Sequence, residues 1–419
     1  MRSRSLLAIA ALVLAASCGG DDGAGAEVTT SPDTAPAPTQ PETTEVAPST
    51  TPPDTSPATT AAPVTTTATE TTTTTEAAPE PVRFDEAGPF PVGVTTLQLA
   101  TGPAVEIWYP AVEGTVGTDT YDVRDFTPEA IQELLTGDVS ATFTIDAGRD
   151  ADVADQTFPL VLFSHGSSAM RLQSSFLTSH LASHGMIVVA PDHPGRDLIN
   201  ALGGRDESER TDPVDDLLGA LDLILGENAT EESRFAGRLD DGRITAIGHS
   251  AGGGTILAAA ADERIGSYVS MAAGGPDDPS EFPDVPSLFM AGATDEIVTP
   301  VDRTRPAFES APGPTWYVEI AETGHNGFDD FCTFGGGTGI IGIAEASGLG
   351  PLLDAQPQLR RLGEDGCVPP AAPVELAFPV ITHTTTSFLR WVFGIDAAPT
   401  GLDAVSFAEF ELDVVLEER

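Results

Sequence analysis

Three residues far apart in the chain have the types and the order that nucleophilic catalysis needs: Ser250, Asp295 and His325. Ser250 lies in the sequence GHSAG, between Gly248 and Gly252, which matches the motif G-x-S-x-G. A serine hydroxyl is a weak nucleophile at neutral pH and needs a neighbouring base. His325 could take the serine proton, and Asp295 could orient the imidazole and stabilise its charged form. We therefore predict a nucleophile, a general base and an orienting acid.

The surroundings of Ser250 strengthen this motif, which is weak evidence alone because glycine is frequent in the chain. The strand-forming stretch RITAIG (243–248) leads directly into it, and a helical pattern of small residues begins at Ala251. A catalytic serine on a sharp strand-to-helix turn, the nucleophile elbow, has this arrangement. Gly248 and Gly252 are expected to be required by the tight turn, and His249 is expected to pack beneath it.

Asp295 and His325 each follow a predicted strand, VPSLFMAG (285–292) and TWYVEI (315–320) respectively. Both side chains should therefore lie at the carboxyl edge of the sheet, where ligands bind in open α/β folds. The chain order serine, acid, histidine is also one of the known orders of such a triad.

Other residues compete for these roles. His193, in APDHPG, follows a strand and could line the pocket, whereas His383, at the start of the last predicted helix, is expected to be structural. Asp277 and Asp278 follow the preceding strand and are the main alternatives to Asp295 as the acid.

An oxyanion in the transition state needs two backbone N–H donors. One is predicted at Ala251, directly after the nucleophile. The second is predicted at Ser167, after the buried strand FPLVLFSHG (158–166), because His165 and Gly166 let the backbone turn close to the site. The alternative for this pair is a simple turn.

Strands and helices alternate through residues 81–419, which predicts one α/β domain with a doubly wound, mostly parallel eight-stranded sheet and helices on both faces. An insertion is predicted near residues 330–380. The predicted strands are 92–100, 104–110, 158–166, 186–191, 243–248, 264–273, 285–292 and 315–320. The predicted helices are 171–185, 212–226, 251–261 and 382–394.

The first 80 residues have a different composition. Residues 1–17 combine two arginines, an apolar run and small residues, which predicts a secretory signal peptide too short to span a bilayer permanently. The stretch LAASC ends at Cys18 and is similar to a bacterial lipobox, in which the cysteine carries lipid; ordinary cleavage is the alternative. Residues 18–80 are mostly Thr, Pro, Ala, Ser and Glu, which predicts a disordered linker. We therefore expect an exported protein that attaches to the membrane only through lipid.

The net charge of -45, with 19 basic residues that are all arginine, argues against nucleic acid or an anionic membrane surface as a partner. Cys332 and Cys367 are then the two cysteines left in an oxidising compartment, and a disulfide is expected between them. Closing a loop of about 35 residues would contribute about 3 kcal/mol. Two free thiols are the alternative.

With these residues in place, the chain resembles the platelet-activating-factor acetylhydrolase-like branch of the α/β-hydrolases, and more loosely the dienelactone hydrolases and bacterial polyester hydrolases. The stretches LVLFSHG, LASHGMIVVAPDHPG, RITAIGHSAGGGT and GHNGFDDFCTF carry the resemblance, over roughly residues 90–393. It implies esterase or lipase activity without metal or cofactor, with the nucleophile at Ser250 and the base at His325. Mammalian acetylhydrolases place the acid one strand earlier, whereas Asp295 matches the polyester hydrolases.

We predict a serine hydrolase that cleaves a small-molecule or lipid ester through an acyl-serine intermediate. A polyester- or cutin-like substrate is the narrower hypothesis. Two further hypotheses compete with the serine esterase. One is a cell-surface binding lipoprotein without catalysis, and the other is peptidase or acyltransferase chemistry on the same triad.

Overall fold

Twelve β-strands are present in the part of the chain that the computed structural model describes, residues 80–136 and 138–419. They are β1 (Val92–Gln98), β2 (Ala104–Pro110), β3 (Asp119–Asp122), β4 (Thr142–Ile145), β5 (Gly148–Arg149), β6 (Phe158–Ser164), β7 (Ile187–Pro191), β8 (Leu239–His249), β9 (Ser267–Met271), β10 (Ser287–Gly292), β11 (Thr315–Ile320) and β12 (Val414–Glu418). The predicted signal peptide 1–17, Cys18 and the predicted linker up to residue 79 lie outside the described residues.

Ten strands form one sheet in the order β12-β11-β10-β9-β8-β6-β7-β2-β1-β5, and β3 pairs separately with β4. The six strands from β11 to β7 in this order run parallel to one another. β12 and β2 flank them in antiparallel pairing. The predicted doubly wound, mostly parallel α/β sheet is therefore confirmed.

The predicted number of eight strands is wrong, because two further strands extend the edges. All eight predicted strands are present as β1, β2 and β6 to β11, and β5 and β12 are added. β5 has only two residues, too few for a sequence pattern, and β12 (VVLEE) is partly exposed and ends in two glutamates. Neither strand has the buried apolar run that identifies the others.

Helices cover both faces of the sheet. They are α1 (Glu129–Gln132), α2 (Ser175–Ser183), α3 (Leu198–Ala201), α4 (Pro213–Ala229), α5 (Ala251–Ala259), α6 (Arg305–Ser310), α7 (Phe334–Gly337), α8 (Gly339–Ala346), α9 (Gly350–Asp354), α10 (Pro357–Glu364), α11 (Val374–Val392) and α12 (Ala404–Phe407). Buried side chains of α2 and α11 pack in one apolar cluster with alternate residues of β6, and those of α4, α5 and α6 pack in a second. Successive β6 side chains point to opposite faces. None of the helices in the described residues is long and apolar enough to cross a membrane.

The last long helix begins earlier than predicted. The sequence predicts residues 382–394, but α11 starts at Val374 and contains Pro379 in its second turn. Pro379 lies beyond the first turn and has no N–H to donate to the Glu375 carbonyl, yet the helix continues through it. The sequence preceding residue 382 therefore continues the helix rather than the predicted insertion.

The disulfide between Cys332 and Cys367 is confirmed, with an S–S distance of 2.02 Å. Between its two cysteines lie the four short helices α7 to α10. Cys332 follows His325 closely in the chain. The disulfide therefore holds Cys367, at the end of the segment, near the predicted base.

Candidate active site

Ser250 occupies the turn between β8 and α5, with φ 55° and ψ -122°. This is a conformation that non-glycine residues rarely adopt, and it costs about 1–3 kcal/mol. Gly248 and Gly252 have no room for a side chain: a Cβ on Gly248 would overlap the Gly252 carbonyl, and one on Gly252 would overlap the Ser164 carbonyl. The predicted elbow is thus built by close backbone contacts around a strained serine.

The structure brings the three predicted side chains together in one hydrogen-bonded line. The Ser250 hydroxyl donates to His325 Nε2 at 3.0 Å, and His325 Nδ1–H donates to Asp295 Oδ2 at 2.8 Å. Asp295 follows β10 and His325 follows β11, both at the carboxyl edge of the sheet. Because both side chains are buried, this contact is shielded from water. The arrangement can carry a proton from a serine hydroxyl to an imidazole.

The second oxygen of Asp295 is also fixed. Its Oδ1 accepts hydrogen bonds from the backbone N–H groups of Ile297 at 2.8 Å and Val298 at 2.7 Å. The alternative acids lie elsewhere: Asp277 is exposed, and exposed Asp278 accepts from the backbone N–H and hydroxyl of Ser280. Asp295 therefore has the geometry of the orienting acid.

The backbone N–H groups of Ser167 and Ala251 are free to act as oxyanion donors. Within residues 80–136 and 138–419, neither donates to a protein acceptor. The neighbouring N–H groups are used: Gly166 donates to Gln173 Oε1 at 2.7 Å, and Ser168 donates to the Arg196 carbonyl at 2.8 Å. Ser167 thus lies between two N–H groups that already have acceptors, and Ala251 is the first residue of α5, where helix N–H groups lack partners.

His249 lies beneath the elbow and links its two sides. Its Nδ1 accepts from Gln173 Nε2 at 2.8 Å, and its Nε2–H donates to the His325 carbonyl at 3.1 Å. Burial lowers the pKa of His249 well below its usual value, so the ring is neutral. Since Gln173 also accepts from Gly166, one chain of hydrogen bonds joins the oxyanion turn to the backbone of the base.

His193 does not line the pocket at Ser250, so this sequence-based prediction is wrong. It is buried on the other side of β6, where its ring contacts the Ser164 hydroxyl at 2.9 Å and Asp216 at 3.3 Å. His383 lies in the middle of α11 rather than at its start, and donates from Nε2 to the Gly401 carbonyl.

Arg196 is a functional candidate that sequence reasoning missed. Its guanidinium donates to the carbonyl of Ala251 at 3.2 Å and to the carbonyl of His165 at 2.6 Å. Burial lowers its pKa to about 10, so it remains charged at neutral pH. Arg196 therefore ties together the two backbone segments that present the oxyanion donors. Its position in HPGRD, just after β7, is the one signal in the sequence.

Asp365 is a second residue that sequence reasoning missed. Its Oδ1 accepts from the backbone N–H of His325 at 2.7 Å, and its Oδ2 accepts from the backbone N–H of Glu296 at 2.9 Å. Burial raises the pKa of this carboxyl. One side chain, two residues before Cys367, thus holds the loop of the base and the loop of the acid at a fixed separation.

Removal of the Asp365 carboxylate is expected to lower kcat while KM changes little. For Asp365→Ala we expect kcat to fall about tenfold to a hundredfold, because a displacement of about 1 Å in a catalytic group has effects of this size. KM should change less than twofold, since Asp365 binds only backbone. Asp284→Ala, an exposed carboxylate outside the pocket lining, is the control. A rise in KM with unchanged kcat would contradict the positioning role.

An apolar pocket of about 130 Å³ opens beside Ser250, His325 and Ser167. The mostly parallel sheet, with a serine on the turn after a central strand and its partners after two later strands, defines the α/β-hydrolase fold.

Comparisons with known proteins agree with this fold. A family model described as PETase, PET hydrolase-like, matches residues 150–343, which include Ser250, Asp295 and His325. A bis(hydroxyethyl) terephthalate hydrolase of Streptomyces coelicolor is 29% identical over 177 residues, 41% of this chain and 52% of that protein. Cutinase est2 of Thermobifida alba is 25% identical over 174 residues, 41% of this chain and 54% of that protein.

The predicted resemblance to bacterial polyester hydrolases is confirmed by these matches. The chain spans about half the length of both relatives. The matched region ends before α9 and α10, whose residues border the pocket.

Proposed function

We propose that the protein is a serine esterase that cleaves carboxylic esters through an acyl-serine intermediate. The observation that carries this proposal is the line of hydrogen bonds from Ser250 through His325 to Asp295, with the free N–H groups of Ser167 and Ala251 beside it. The names of the two relatives, a hydrolase of a terephthalate ester and a cutinase, support ester bonds as the substrate.

In the acylation step, Ser250 Oγ bonds to the carbonyl carbon of the ester while its proton moves to His325 Nε2. The carbonyl electron pair moves onto oxygen, where the N–H groups of Ser167 and Ala251 stabilise the negative charge. The bond to the alcohol oxygen then breaks, and His325 gives its proton to that oxygen. Asp295 stabilises the imidazolium throughout.

In the second step, water takes the place of the alcohol. His325 accepts a proton from the water as it attacks the acyl carbon, and then returns the proton to Ser250 Oγ as the acid product leaves. These steps use only side chains and backbone of this chain, and no cofactor or metal enters the proposal.

Hydrolysis of polyester or cutin is the second candidate, because both relatives and the matching family model carry names of that kind. Release of soluble acid from a polyester film would support it. Turnover of p-nitrophenyl acetate without any such release would leave the general esterase proposal and exclude this one.

The proposal is tested with the full chain and a fluorophosphonate probe, which reacts with activated serines. We expect one probe per molecule, on the peptide that contains Ser250, together with hydrolysis of p-nitrophenyl acetate. Labelling with cleavage of peptides but not of esters would support the peptidase hypothesis. Neither labelling nor hydrolysis would support a binding protein and overturn the proposal.

We also propose that the protein is exported and anchored through lipid on Cys18. The Cys332–Cys367 disulfide supports an oxidising compartment. Membrane fractions should contain a form that carries diacylglycerol on Cys18, and its absence by mass spectrometry would contradict the anchor.

A further inference from the structure

We infer that the pocket beside Ser250 binds the acyl group of a monoester with a short, unbranched aliphatic chain of about four to six carbons. The inference rests on the proposed esterase function and adds the substrate class. The pocket has three sides. The sheet edge with Ser250 and His325 forms its floor, residues 123–135 form one wall, and residues 340–363 form its roof.

Alkyl side chains supply nearly all of the wall and roof. Representative lining residues are Val123, Ile131, Leu135, Ile341, Ile343 and Leu353. All six are buried, at 9% exposure or less. Aromatic rings contribute little: among the described residues that line the pocket they are Phe331 and the imidazoles of His249 and His325. The pocket is therefore shaped for an aliphatic chain.

The size of the pocket limits the chain length. An apolar cavity of about 150 Å³ in a protein admits benzene, which has six carbons. The pocket of about 130 Å³ therefore has room for an acyl chain of about four to six carbons, counted with the carbonyl carbon. A chain of ten carbons would have to displace the roof.

The size of the pocket disfavours a second ester group. A benzene ring alone occupies an apolar cavity of about 150 Å³, so a terephthalate ring with a second ester attached exceeds the pocket of about 130 Å³. A terephthalate diester or a polyester would therefore have to displace the roof.

The apolar pocket suits the acyl side rather than the alcohol side. The alcohol must leave before water attacks from the same direction, near His325 Nε2, so the alcohol side needs a path to solvent. The acyl group stays bonded to Ser250 through both steps and has no such need. A pocket bounded by alkyl side chains is therefore assigned to the acyl group.

The roof is held in place and extends beyond the matched family region. The segment that forms it is tied back by the Cys332–Cys367 disulfide and by the bond from His325 N–H to Asp365. Lining residues of α9 and α10 lie beyond residue 343, where the family match ends. Part of the roof therefore lies inside the matched region and part beyond it.

A series of p-nitrophenyl esters tests the inference. From acetate to hexanoate, kcat/KM should rise about fourfold per buried CH₂ and at least fiftyfold in total, then fall at decanoate. Bis(2-hydroxyethyl) terephthalate should have a kcat/KM at least tenfold below that of 2-hydroxyethyl hexanoate, which releases the same alcohol. A flat series, a maximum at acetate, a faster terephthalate or a preference that follows the alcohol chain in alkyl acetates would overturn it. Hydrolysis of none of these esters would instead overturn the esterase proposal.

Two substitutions on α8 distinguish a change in the pocket from a general effect on the fold. Ala344 lines the pocket, whereas Ala346 on the same helix is exposed and outside the lining. Ala344→Phe should lower the ratio of hexanoate to acetate kcat/KM at least tenfold, and Ala346→Phe should leave both values unchanged. Ala344→Leu, a smaller change, should lower the ratio in the same direction if the larger residue prevents folding. An unchanged ratio in a folded Ala344 variant would contradict the pocket.

Discussion

Alanine in place of Ser250 is expected to lower kcat/KM for p-nitrophenyl esters by about a million-fold, the loss seen when the nucleophile of a serine hydrolase is removed. Without Oγ no acyl-enzyme forms, and His325 has no hydroxyl proton to accept. A residual rate over that in water should remain, because the N–H groups of Ser167 and Ala251 still stabilise an oxyanion. Steady-state kinetics with p-nitrophenyl hexanoate measures kcat/KM of the wild type and of the variant.

The fold should survive this change, since Ser250 at φ 55° is strained whether its side chain is hydroxymethyl or methyl. Equal melting temperatures of the wild type and Ser250→Ala would show that the loss is chemical. Ser280→Ala is the control, an exposed serine that bonds Asp278. A Ser250→Ala protein within tenfold of wild-type activity would mean that another residue is the nucleophile.

The convergence of the candidate triad could be predicted because parallel strands end at one edge of a sheet. Ser250, Asp295 and His325 each follow a buried strand, so their strand assignments already bring them to the same edge. The strands themselves are readable because both of their faces are buried, which gives continuous apolar runs. Edge strands β5 and β12 lack this burial, and the sequence pattern therefore does not reveal them.

The residues that hold the site were harder to predict because they act on backbone. Arg196 and Asp365 bond carbonyl or N–H groups of distant loops, and such contacts require no particular residue type in the partner. His193 shows the opposite error: it follows a strand at the right edge, but its ring turns beneath the sheet edge toward Asp216. Side-chain direction in a loop has no periodicity that a sequence could reveal.

The position of the pocket roof could not be predicted from the sequence either. The glycine-rich composition after residue 335 predicts an insertion, but α8 to α10 acquire their place through Asp365 and the disulfide at Cys367. Which of their faces covers Ser250 depends on these distant contacts. The chemistry of the candidate site was therefore more predictable than its substrate.

Asparagine in place of Asp295 is expected to lower kcat by about ten thousand-fold while the fold and the substrate pocket remain. The reason is the direction of the amide. Oδ1 accepts from the N–H groups of Ile297 and Val298, so the amide oxygen of asparagine must take that position. The NH₂ group then faces His325 Nδ1 and donates to it. The imidazole proton is forced onto Nε2, which can no longer accept the proton of Ser250.

The matched control is Asp278→Asn, which changes the exposed alternative acid in the same way and should alter kcat less than twofold. Asp295→Asn should also react slowly with a fluorophosphonate, because that reaction needs the same proton transfer, while KM stays near the wild-type value. A loss of activity in Asp278→Asn with little change in Asp295→Asn would move the acid to the preceding strand. Because Asp295 is bound by two backbone donors on one oxygen and by His325 on the other, the amide has one hydrogen-bonded orientation here, and it is the unproductive one.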